Sequence, residues 1–150
     1  HAVAHPLYSP NEKLTPLQLQ KLVLMFRHFE GINGRYHARL GEAARYALGS
    51  LTPRSIEVFV SRTGLEPTHD EPWRKVLVGG SDDHGGVYPA RAFTETPAAG
   101  SAAEFLAHIR EGRAEAKGEG GNPLALAHGT GGALSTRHGS ATLVLGAWQR

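Results

Sequence analysis

Short apolar runs alternate with amphipathic stretches along most of the chain. His1 to Leu7 (HAVAHPL) is apolar and predicts a buried strand that stops at His5-Pro6. Thr15-Pro16-Leu17-Gln18 carries a helix start, with Thr15 as the cap, Pro16 in the first turn and Gln18 completing a capping box. Leu19, Leu22, Val23 and Phe26 follow at helical spacing and take that helix to about His28. Phe29 to Asn33 reads as a short strand before the turn Asn33-Gly34. A second helix, from about His37, keeps Leu40, Ala43, Ala44, Ala47, Leu48 and Leu51 at helical spacing. Thr52-Pro53 opens a third with Ile56, Phe59 and Val60 as its stripe, although its valines leave a strand as the alternative.

Beyond a proline-containing loop from Leu65 to Trp73, Lys75 to Val78 (KVLV) predicts a compact strand stopped by Gly79-Gly80. Ala92 to Thr96 is a further strand candidate. Ser101 and Glu104 make a capping box for a helix that carries Phe105, Leu106 and Ile109 and ends at Gly112. This alternation predicts an α/β fold with a mainly parallel sheet. From Gly118 the chain turns glycine-rich: Pro123 to His128 is a helix candidate, Gly129 to Gly132 a joint, and Ala141 to Trp148 an apolar run that belongs with a following segment. The expected division is therefore 1–117 as the folded part and 118–150 as a connection.

Composition narrows the function classes. The chain has 150 residues, 40% of them hydrophobic and 20% charged, enough for a sizeable core and unlike a disordered tail. With no cysteine, disulfides, thiolate zinc sites and cysteine nucleophiles are excluded. A net charge of +2, scattered basic residues and 7% aromatics do not make a nucleic-acid platform. No apolar run approaches the roughly 18 residues of a membrane span. There is no G-x-S-x-G elbow. Gly118–Gly121 and Gly129–Gly132 satisfy neither phosphate-loop pattern, which leaves flexible connection as their reading. The start at His1, inside an apolar run and without a signal-peptide pattern, points to an excised piece of a cytoplasmic protein.

Nine histidines without thiols direct any transition-metal chemistry to imidazole and carboxylate. The strongest local signal is Val76-Leu77-Val78-Gly79-Gly80-Ser81-Asp82-Asp83-His84. In parallel α/β folds functional groups gather at the carboxyl ends of strands. Asp82 and His84, at i and i+2 just past such an end, point the same way if extended and could share one metal ion. The bland alternative is a solvated turn with a capping Asp. His5, at the end of an apolar strand, is a second candidate ligand, its alternative being a buried histidine bonded to backbone. Asp83 should point away and serve as a cap. Glu30 and Asn33 flank a strand end and could face the site. Arg35 and Arg91 are candidates to bind a phosphate through bidentate hydrogen bonds. His28, His37 and His108 are assigned to helix surfaces, His69 to a solvent loop, and His128 and His138 to the tail.

HPLYS at His5–Ser9, FEGIN at Phe29–Asn33 and GGSDDHGG at Gly79–Gly86 resemble the later motifs of the PHP (polymerase and histidinol phosphatase) superfamily of metallohydrolases. The continuation RAFTETP and SAAEFLAHIREGRAEAKGEGG is similar in order and spacing to the branch in which a PHP domain accompanies a glycosyltransferase domain. The resemblance spans about residues 1–128. It implies the C-terminal part of a distorted seven-stranded β/α barrel with a glycine-rich tail. It implies a site for two or three divalent transition metals (Zn, Mn or Fe), with His5, Asp82 and His84 as ligands. It also implies metal-bound hydroxide attacking a small-molecule phosphate ester, and a covalently linked glycosyltransferase domain. The family's opening H-x-H or H-x-D signature has no match in this chain, so the remaining ligands are expected upstream. A non-catalytic scaffold for the glycosyltransferase is the rival reading, and metal-dependent hydrolysis of a C–N bond a third.

Overall fold

The computed structural model of the protein describes residues 1–9, 11 and 13–128. Helix α1 spans Pro16–Met25, and its capping box is complete: Gln18 N–H donates to Thr15 Oγ1 and Thr15 N–H to Gln18 Oε1. It stops three residues short of His28. Phe26 is already extended (φ −125°, ψ 140°), and strand β1, His28–Asn33, begins at the histidine. The carbonyls left over at the end of α1 are all engaged. Thr68 takes Leu24 O through its backbone and Met25 O through its hydroxyl, while Lys75 Nζ donates to Val23 O at 2.5 Å and Phe26 O at 2.7 Å.

Helix α2, Ala38–Gly49, starts on His37, whose Nδ1 accepts from Arg39 N–H. Helix α3, Pro53–Thr63, has its own capping box between Thr52 and Ser55 and ends on Gly64 in the left-handed region, which resolves the helix-or-strand ambiguity. Strand β2, Val76–Gly80, lies parallel to β1. Val23 and Leu24 of α1, Phe29 of β1, Leu48 of α2 and Ile56 of α3 form the buried core. The helices thus cover the Phe29 face of the strand pair.

The segment from His1 to Leu7 forms only an isolated parallel bridge, Val3 to Phe29, rather than a strand. Two residues further on, the His5 N–H donates to the Glu30 carboxylate and φ is +30°, and Pro6 has no N–H to continue a ladder. Strand β2 runs through Gly79 and Gly80 instead of stopping before them. A Cβ on Gly79 would lie 2.2 Å from Phe93 O, so glycine is what lets the next strand cross here. That strand, β3 (Ala92–Glu95), holds Gly79 through Thr94 Oγ1, which accepts from Gly79 N–H and donates to Gly79 O.

The described sheets are one parallel pair, β1–β2, and one antiparallel pair. The polar segment Glu115–Gly118 forms strand β4, antiparallel to β3, and no closed barrel is present among the described residues. A boundary at 117/118 therefore falls inside β4. Gly118–Gly121 are not a free joint either. Gly121 N–H is shared by Asn33 O and Tyr36 O, and a Cβ on Gly120 would lie 2.6 Å from the Cα of Ala38. Helix α4, Ala102–Arg110, is capped by Ser101, but Glu104 Oε2 accepts from Gly100 N–H rather than completing a box. Two histidines assigned to helix surfaces are structural. His108 is buried and its Nδ1 donates to Pro97 O at 3.2 Å; His28 begins β1 and its Nε2 donates to Ile109 O at 3.1 Å. Residues 123–128 are helical, as expected. The joint at Gly129–Gly132, His138 and the run Ala141–Trp148 lie outside the described residues. Among the described residues no helix is long and apolar enough to cross a membrane.

Phe29 is fully buried at the centre of the core. Phe29→Ala should cost about 3–5 kcal/mol, read as a lower midpoint of urea unfolding. Lys75 gives a pH signature: burial first, and the charge of Arg27 second, lower its ammonium from 10.5 to about 8. Between those values the unfolded chain binds more protons than the folded one, so this group's contribution to stability is lost as pH falls through about 8. Urea unfolding should show stability rising with pH across this window, and Lys75→Met should remove that component of the slope.

Candidate functional site

The site lies where the carboxyl ends of β1 and β2 meet the turn after Val3. Glu30 pairs with Val78, and Asn33 with Gly80, across a β-bulge at Gly31 between Glu30 and Ile32. Strict alternation would send Glu30 and Asn33 to opposite faces. The extra residue brings them to the same side, where Asn33 Nδ2 donates to Glu30 Oε2 at 2.9 Å. The same oxygen accepts from His5 N–H at 2.6 Å. Burial raises the Glu30 pKa above the usual carboxylate value, and its bonds to Asn33 and His5 offset part of that effect.

Asp82 and His84 come together as the sequence expects, but by a different route. Asp82 is not extended: its φ is +48°, in a region that a non-glycine residue rarely occupies. His84 Nε2 nevertheless lies 3.0 Å from Asp82 Oδ1, and Asp82 Oδ2 accepts from Asn33 Nδ2 at 3.2 Å. Arg35 Nη1 is 2.8 Å from His84 Nδ1. A guanidinium can only donate, so Nδ1 accepts from Arg35, whose Nη1 also lies 3.4 Å from Nε2. Asp83 caps the following turn, its two oxygens accepting from Gly85 N–H and Tyr88 N–H at 3.0 and 2.8 Å.

His5 enters the site through its backbone. Its ring stands edge-on to Tyr8 and Tyr36, which stack on each other at 3.7 Å. Neither tyrosine stood out in the sequence; the aromatic beside His5-Pro6 and the one after Asn33-Gly34 were the available signal. Burial, the Asp82 carboxylate and Tyr8 push the Tyr36 hydroxyl up to about 12, so it stays protonated. A cavity of about 200 Å³ adjoins this wall, lined among others by His5, Tyr8, Glu30, Tyr36 and Arg45.

Of the two arginines, only Arg35 reaches the Asp82–His84 pair. Arg91 donates through Nε to Gly120 O and through Nη2 to Glu119, and its guanidinium lies over the Tyr88 ring, so it fastens the glycine seam. His69 is not simply solvated: its Nε2 lies 3.2 Å from Lys75 Nζ. His37 caps α2, and the His128 ring lies 5.7 Å from that of Tyr88.

Asp82 and His84 are a carboxylate and an imidazole, donors that suit Zn, Mn or Fe. Their spacing fits two positions of one coordination sphere, with Glu30 linked to them through Asn33. Among the described residues no group of three or more such side chains is placed to hold an ion. The fit is that of a partial ligand set.

Gly80 is where the site constrains the backbone most directly. A Cβ there would lie 2.6 Å from Glu30 Oε1, and Glu30 is tethered by its other oxygen to His5 and Asn33. Gly80→Ala should break those bonds and lower stability by about 1–3 kcal/mol. Gly49→Ala, at the end of α2 with nothing within 4 Å, should leave stability equal or higher. Thermal unfolding of the two variants side by side checks the contrast.

Compared with known proteins, the chain matches no family model, no curated protein and no solved structure.

Proposed function

We propose that this chain contributes the carboxyl-terminal part of the metal site of a PHP-type phosphoesterase acting on a small-molecule phosphate ester. The observation that carries the reading is the Asp82–His84 pair, 3.0 Å apart past the carboxyl end of a parallel strand. Asp82 and His84 would be ligands, His5 would join them by turning its ring from the tyrosines, and further ligands would have to come from outside the described residues. Divalent ions bound there make a water more acidic and offset charge building on phosphate oxygens. The chain's own part is to hold and orient. Asn33, itself bonded to Glu30, anchors Asp82, and Arg35, half-buried beside His84, is placed to pair with a phosphate oxygen once its contact with the imidazole is released. The role of phosphate binder goes to Arg35 ahead of Arg91, whose donors already hold Gly120 and Glu119. A linked glycosyltransferase domain and a cytoplasmic location belong to the same proposal and rest on the resemblance of the motifs.

The test is metal content by elemental analysis of the full-length protein and its His84→Ala variant, each after supply of Mn or Zn. His84 is half exposed, so its removal should leave the fold intact. The expected result is two or three ions per chain, at least one of them lost in the variant, with hydrolysis of p-nitrophenyl phosphate falling at least 100-fold. Absence of metal from both proteins would overturn the reading and favour the scaffold. Metal with hydrolysis of amides but not of phosphate esters would favour C–N bond cleavage.

A further inference from the structure

We propose that Asn33 is the positioning residue of this site: its side-chain amide joins Glu30 to Asp82 and fixes the carboxylate that His84 and a metal ion share. The inference rests on the phosphoesterase reading and adds to it a residue that is not itself a ligand.

Asn33 is buried, and every hydrogen-bonding position of its side chain is taken. An asparagine amide has two N–H donors and an oxygen with two lone pairs. The donors go to Glu30 Oε2 at 2.9 Å and Asp82 Oδ2 at 3.2 Å. The oxygen accepts from Arg35 N–H at 2.9 Å and Tyr36 N–H at 3.0 Å. The reverse orientation would set the oxygen against two carboxylates and the NH2 against two backbone N–H groups, so only one orientation is tenable. The amide therefore cannot rotate without losing all four bonds, and it holds at fixed separation two acidic side chains, one on β1 and one just past the end of β2.

Asp82 needs that support. Its backbone sits at φ +48°, off the end of β2, and its Oδ1 faces His84. Residues in this conformation persist where their surroundings over-determine them. With Oδ2 held by Asn33, the carboxylate plane is set and Oδ1 is left toward the imidazole. Hydrogen-bond partners of metal ligands commonly govern affinity by about 10–100-fold although they never touch the ion. The bulge at Gly31 serves the same arrangement, because without it Asn33 would face away from Glu30. Asn33 also ties the site to the chain's later part, since its own carbonyl accepts from Gly121 N–H at 3.1 Å.

Asn33→Ser separates the two halves of this role. A serine hydroxyl can still accept from the backbone N–H two residues on, as in an ST-turn, but it is too short to reach Glu30 and Asp82. Zn2+ alone is the probe, titrated by calorimetry into the full-length wild type, Asn33→Ser and His84→Ala, the last defining which binding event belongs to the site. The expected result is an Asn33→Ser protein that melts cooperatively but binds Zn2+ at the His84-dependent site at least tenfold more weakly. Wild-type affinity in a folded Asn33→Ser would overturn the positioning role and leave the metal site standing. No His84-dependent Zn2+ binding in the wild type would overturn both. Should Asn33→Ser not fold, the side-chain NH2 resonances of the wild type decide. The Asn33 pair should shift on Zn2+ addition while the Asn11 pair does not, and an unchanged Asn33 pair would overturn the proposal.

Discussion

The bulge at Gly31 is the constraint on which the site depends. One extra residue in β1, opposite the regular run of β2, turns Glu30 and Asn33 to a common side. It lets a single amide reach the carboxylate of Glu30 on β1 and that of Asp82 just past the end of β2. The core on the other face tolerates the bulge because Phe29, which precedes it, stays in register with Leu77 and keeps its place among Leu24, Leu48 and Ile56. Packing thus holds the strands, and the bulge directs their polar ends. Two of the residues gathered at those ends, His5 and Asp82, have positive φ, the kind of backbone cost that surrounding hydrogen bonds must offset.

Glycine makes the second half of the structure possible. Gly79 admits the backbone of Phe93, Gly80 leaves room for Glu30, and Gly121 packs directly on Arg35 and Tyr36. In each case a side chain is excluded by a near neighbour rather than by local backbone preference. Arg91 reinforces the same region by joining Gly120 and Glu119 to the start of β3. The antiparallel β3–β4 pair is thereby set against the site-bearing strands.

Much of the local structure was legible in the sequence because its signals are local. Thr15-Pro16 and Thr52-Pro53 are helix starts that the following residues satisfy, and of the spaced residues Val23 enters the core while Leu22 and Phe26 pack against it; Leu24, fully buried, falls outside that spacing. What was not legible depends on partners distant in sequence. Strand β4 reads EAKG, with no apolar alternation, and exists because β3 pairs with it. Gly118–Gly121 read as a linker because nothing in their own composition reveals Ala38 and Arg35 beside them. At the site, the adjacency of Asp82 and His84 was readable from their spacing, although its cause is a left-handed turn rather than extended chain. The part of Asn33 was not readable, since it requires the bulge to be seen.

In the proposed metal centre this strand-end cluster would be one side, oriented by an amide that binds no metal itself. Anomalous diffraction from crystals of the full-length protein grown with Mn2+ tests it most directly. The expected result is a peak in contact with the side chains of both Asp82 and His84, with Asn33 still bonded to Glu30 and Asp82. An absence of manganese at that pair, or manganese held only by other histidines such as His69 or His128, would contradict it.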